Sequence, residues 1–305
     1  MKKPEPAQSA PREPLEPTAY VPTADLLLLP VMALPHLDKE AMRQAMGRPS
    51  IIWVGSSISY GSLDHATVLS KLLKSAICKE SSVACHPQGG AGIRAIAGNM
   101  EEELSQGRFN TVVFEGGVND LHGIVGRVMD GSLKDAHLIN DAVDKAFALT
   151  VKASKSALGK GRLLILLTVS PWGGYQPSPA AQKVADDLSD RFNIQIQRLH
   201  DPENGVYVVD TRQRLGAADS VPDLYSNPPA GWPKGHRYST SRPLLWLRPQ
   251  FREMNVPEDP RTGYLHPNRR GHMALGDAVA EQVYGIKPPK RSDDKEPDDQ
   301  PGHLM

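Results

Sequence analysis

The eight-residue run Arg162–Val169 (RLLILLTV) is apolar except at Arg162 and Thr168, and it constrains the fold more than any other segment. A strand with one wet face alternates polar and apolar residues. A strand without that alternation is covered on both faces. Four shorter runs share its character: Ser50–Val54 (SIIWV), Ser82–Cys85 (SVAC), Thr111–Phe114 (TVVF) and Val206–Val209 (VYVV). Helical spacing separates them at Ala66–Ile77, Arg94–Leu104, 138–157 and Pro179–Leu199, and a last helix is expected over Asn268–Tyr284. Buried strands alternating with helices predict an α/β fold: a flavodoxin-like three-layer α/β/α sandwich around a central parallel five-stranded sheet, joined by right-handed crossovers. Ligands of such sheets bind beyond the carboxyl ends of the strands.

The flanks are of a different composition. Residues 1–24 are rich in Pro, Glu and Ala and read as a disordered arm, and 288–305 as a disordered tail. The folded domain is therefore expected over 25–287, with a long insert at about 211–262 that is rich in Pro, Arg, Trp and Tyr. A connection of that length is a lid, a platform for a polyol, sugar or anionic ester, or a solvated loop. Lys plus Arg and Asp plus Glu both total 35, so no net field draws the chain to nucleic acid, and no nucleic-acid partner is expected. No apolar run reaches the roughly 20 residues of a membrane helix. The start resembles no signal peptide, which reads as cytoplasmic for the sequence as given and as exported if a signal has been removed. Cys78 and Cys85 read as free thiols. No metal-binding spacing occurs, and no cofactor is expected.

Polar residues collect just after the strands. Gly55-Ser56-Ser57-Ile58-Ser59-Tyr60-Gly61 follows the first, Gly89-Gly90-Ala91-Gly92 the second, and Gly117-Val118-Asn119-Asp120 the third; Leu265-His266-Pro267-Asn268 precedes the last helix. Each has an ordinary reading by itself. A serine there caps a helix, an asparagine makes a turn, and a histidine sits at a helix start. Taken in this order, at the rim the sheet predicts, they can supply a nucleophile, oxyanion donors and a base.

The arrangement resembles the SGNH/GDSL hydrolases. Gly55–Gly61 is similar to the family's GDSxxxG block, Gly92 to its oxyanion-hole glycine, Gly117–Asp120 to GxND, and His266-Pro267-Asn268 to the end of DxxHPN. The resemblance implies a serine esterase acting on a small-molecule or carbohydrate ester. Ser57 would be its nucleophile, His266 its general base, and Gly92 and Asn119 its oxyanion donors. Two positions depart from the family. Ser56 stands where the family has aspartate, and Gly263 where it has the triad acid. Asp259 or Glu258 would have to reach His266 instead, or a backbone carbonyl would hold the ring. The second block also carries His86-Pro87 where asparagine is more usual.

Other readings stay open. The fold could serve an acyltransferase or a non-catalytic binding module. Gly90-Ala91-Gly92-Ile93-Arg94-Ala95 also fits GxGxxA, with Glu115 about 20 residues on, as a dinucleotide-binding protein would have.

Overall fold

In the computed structural model, which describes residues 33–60, 64–170, 179–215 and 269–289, the expected strands form a single parallel sheet. They are β1 (Ser50–Gly55), β2 (Ser82–Pro87), β3 (Thr111–Phe114), β4 (Leu163–Leu167) and β5 (Val206–Val209), in spatial order β2-β1-β3-β4-β5. Ile52 pairs with both Ala84 and Val112, and Val112 in turn with Leu164. Every residue of β3 and β4 is buried, which is why those stretches carry no polar alternation. Full burial of a Leu or Ile side chain stabilises by about 1.5–3 kcal/mol.

The crossovers determine which face each helix covers. The chain moves from β1 outward to β2 through α3 (Asp64–Ala76), then back across β1 to β3 through α4 (Ile93–Ser105). Right-handed connections put those two helices on opposite faces. α5 (Val118–Met129), α6 (Ala136–Gly159) and α7 (Pro179–Gln197) continue in the direction of α4 and pack with one another, and α4 packs on α6. After β5 comes the short α8 (Arg212–Leu215), and α9 (Arg269–Tyr284) packs against α3 on the other face. Gly276 permits the close approach, because a Cβ there would meet the His65 carbonyl oxygen at 2.5 Å. Gln282 ties α9 to the end of β5: its side chain accepts from Asp210 N–H at 3.0 Å and donates to Asp210 C=O at 3.2 Å. The direction reverses between β1 and β3, so the crevice of this fold class opens at their carboxyl ends.

Element limits agree with the sequence expectation to within about two residues at most ends, as is usual for helix and strand boundaries. α1 (Lys39–Gly47) and α5 were not anticipated. Asp38 caps α1, accepting from the N–H groups of Glu40 and Ala41 at 2.9 and 3.2 Å. In α5 the apolar positions Val118, Leu121, Ile124 and Val125 are buried, while Gly123 and Gly126 interrupt the pattern on the exposed side. Both cysteines are free thiols, as expected. Among the described residues no helix is long and apolar enough to cross a membrane. Residues 1–24, all of the 288–305 tail but its first two residues, most of the 211–262 insert, Glu258, Asp259, Gly263 and His266 lie outside the described residues.

Candidate active site

β1 ends at Gly55, and the chain turns at once through Ser56 into a short helix, α2 (Ser57–Tyr60). Ser57 therefore opens a four-residue helix at the carboxyl end of β1, the strand beside the central β3. Ser56 faces inward and is fully buried. Its N–H donates to Glu115 Oε2 at 2.8 Å, and its hydroxyl lies 3.0 Å from both Glu115 oxygens. Ser59 donates to Glu115 Oε2 at 3.0 Å and accepts from the Trp53 indole N–H at 2.9 Å. Burial pushes the Glu115 carboxyl above the usual carboxylate range, against these hydrogen bonds, which lower it. Sequence reasoning considered Glu115 only as a possible ribose ligand. The structure turns it under β1, beneath the turn that carries Ser57.

The second and third blocks are joined directly. Asn119 Nδ2 donates to Ala91 C=O at 2.8 Å, and Asp120 Oδ2 accepts the Ile93 N–H at 2.9 Å. Gly92, the N-cap of α4, leaves room for Asp120: a Cβ would lie 2.9 Å from Asp120 Oδ1, which would have to shift. The Gly92 N–H has no acceptor among the described residues. Gly117 caps α5 at φ 107°, and a Cβ there would meet Phe192 at 2.7 Å, so the GxND glycine is fixed by both conformation and packing. Asn119 thus binds the carbonyl side of the Ala91–Gly92 peptide, whose N–H points the opposite way. Burial raises the Asp120 carboxyl.

These contacts also bear on the dinucleotide reading. A phosphate-binding loop needs its helix N-terminus open to the ligand. Here the first N–H of α4 is already taken by Asp120, and Glu115 is 6% exposed and turned into the protein. Of the glycines in Gly90–Ala95, Gly92 lies against Asp120, whereas nothing lies within 4 Å of a Cβ at Gly90.

His266 lies outside the described residues, and α9 is the next described helix. That helix starts at Arg269, three residues after His266. Its first turn carries His272, whose ring lies 5.8 Å from that of His65 near the start of α3. His65 is fully buried, packs on Trp53 at 4.3 Å between ring centres, and has Nε2 3.3 Å from Cys85 Sγ. Burial, and secondarily the neighbouring His272, holds His65 well below its usual range. The sign follows. Unfolded His65 takes up a proton near pH 6.5, whereas folded His65 does not until much lower pH. Its contribution is thus complete above about pH 6.5 and is lost as pH falls through the folded pKa. Glu115, whose folded pKa is raised, acts oppositely above its unfolded value. We expect urea midpoints to fall from pH 7.5 to pH 5.5, and His65→Phe to flatten that loss. An unchanged slope in the variant would assign the acid sensitivity elsewhere.

No protein-family model matches the sequence, and no curated protein sequence matches it. Solved structures do. A lipase from a goat rumen metagenome superposes with a TM-score of 0.55 at 14% identity, covering 77% of this chain and 98% of its own. An acetyl xylan esterase covers 77% of this chain and 99% of its own at 16% identity and a TM-score of 0.48. With its parallel sheet in the order β2-β1-β3-β4-β5, the chain has an α/β fold like that of the goat rumen lipase.

Proposed function

We propose that this chain is a serine hydrolase of the SGNH type that cleaves carboxylic esters through an acyl-enzyme. The observation that carries the reading is the junction of Gly92 and Asn119 at the β1/β3 switch point, where Asn119 binds Ala91 C=O, beside the Glu115-anchored turn that opens on Ser57. In this reading His266 takes the Ser57 proton as the serine oxygen attacks the ester carbonyl. The oxyanion is held by the N–H groups of Ser57 and Gly92 and by the second N–H of the Asn119 amide. Collapse expels the alcohol, protonated by His266, and water then releases the acid by the same steps in reverse. His266 is oriented by Asp259, Glu258 or a backbone carbonyl. The substrate is a small-molecule or carbohydrate ester, and the mechanism requires no cofactor.

An acyltransferase would share these residues up to the acyl-enzyme and differ in what attacks it. Incubation with a short-chain aryl ester separates the possibilities. Steady release of both alcohol and acid is the expected result. A single burst of alcohol that becomes steady only when a sugar is added would favour transfer, and no release at all would favour a binding module.

A further inference from the structure

We propose that Glu115 is the positioning residue of the nucleophile turn, supplying from β3 the carboxylate that the turn itself lacks at Ser56. The inference deepens the serine-hydrolase reading and rests on it for its effect on turnover. Every polar group facing the Glu115 carboxylate donates to it. Ser56 gives its N–H at 2.8 Å and its hydroxyl at 3.0 Å, and Ser59 gives its hydroxyl at 3.0 Å. Neither hydroxyl can easily turn round. Ser59 Oγ already accepts the Trp53 indole N–H at 2.9 Å, and Ser56 Oγ the Ile58 N–H at 3.2 Å. Each hydroxyl thus accepts one N–H and donates its own proton to Glu115. The carboxyl group of Glu115 is the common acceptor of one N–H and two hydroxyls of the turn. An amide in its place would turn an N–H₂ toward these hydroxyls.

The sheet register delivers the carboxylate. Val54 pairs with Phe114, and Glu115 N–H continues the ladder to Val54 C=O at 2.9 Å. Gly55 leaves the space: a Cβ there would lie 2.7 Å from Glu115 Oε2 and 2.4 Å from Ser59 Oγ. One carboxylate thus fixes residue 56 by its backbone and its side chain, and residue 59 by its side chain. Ser57 is held between those two anchors, and with it the N–H that would face the oxyanion. Glu115 acts through this turn and does not touch the substrate.

The test compares Glu115→Gln with the transposed pair Ser56→Asp/Glu115→Ser, which returns a carboxylate to the turn and shortens the residue on β3. Two readouts are taken: ester kinetics, and amide hydrogen exchange over residues 56–60 beside that of the sheet. A misplacement of the reacting groups by about 1 Å costs on the order of 10²-fold. For Glu115→Gln the expected loss in kcat is at least about tenfold with KM nearly unchanged, together with faster exchange over 56–60 and an unaltered sheet. The transposed pair is expected to recover most of both. A folded Glu115→Gln protein with wild-type kcat and exchange would overturn the proposal. So would a loss that tracks sheet exchange and is not recovered by the transposed pair or by Glu115→Asp. If the wild-type protein hydrolyses no ester, the hydrolase reading fails, and exchange over 56–60 still decides whether Glu115 anchors the turn.

Discussion

Ser57→Ala is expected to lower ester turnover by roughly 10⁵–10⁶-fold while the protein stays folded. The size follows from covalent catalysis: without the hydroxyl no acyl-enzyme forms, and only binding and oxyanion stabilisation remain to assist attack by water. Folding should survive because the turn is held by its neighbours. Ser56 and Ser59 are bound to Glu115, and Ser59 accepts from Trp53. Thermal unfolding and ester kinetics on the same preparation check both halves of the expectation. Turnover within tenfold of the wild type would place the nucleophile elsewhere.

Asn119→Ala is expected to lower kcat by about 10²–10³-fold with little change in KM, since the amide acts on charge that develops in the transition state. The structure adds a second consequence. Asn119 also donates to Ala91 C=O at 2.8 Å, so its loss removes one of two ties between the α4 and α5 N-termini. A net hydrogen bond contributes about 0.5–1.5 kcal/mol, and the variant should be less stable by that order. The remaining tie, Asp120 to the Ile93 N–H at 2.9 Å, should keep Gly92 in place. A rise in KM with unchanged kcat would make Asn119 a substrate-positioning group instead.

The sheet was readable because burial on both faces leaves a signature in composition: Leu163–Leu167 is entirely apolar, and β1 and β3 carry short runs of the same kind. Helix α5 was hidden by Gly123 and Gly126, which weaken a helical pattern without breaking the helix. At the site, residue types and their order along the chain pointed to Ser57, Gly92, Asn119 and His266. The bonds that join the blocks could not be read, because they connect residues far apart in sequence, such as Ser56 with Glu115 and Ile93 with Asp120. Glu115 illustrates the difficulty. An acid at the end of a strand fits a ribose ligand as well as a buried acceptor, and only the β1–β3 register distinguishes them. One signal could have found it: Ser56 departs from the aspartate of the resembled motif, and a missing carboxylate prompts a search for another nearby.

The central claim is that the turn after β1 presents Ser57 as an activated nucleophile. It is tested most directly by treating the protein with a fluorophosphonate, digesting it and locating the adduct by mass spectrometry. The expected result is a single phosphonylated residue, Ser57, formed faster near neutral pH than in acid and absent from Ser57→Ala. An adduct on another residue, labelling that persists undiminished in Ser57→Ala, or labelling only after denaturation would contradict it.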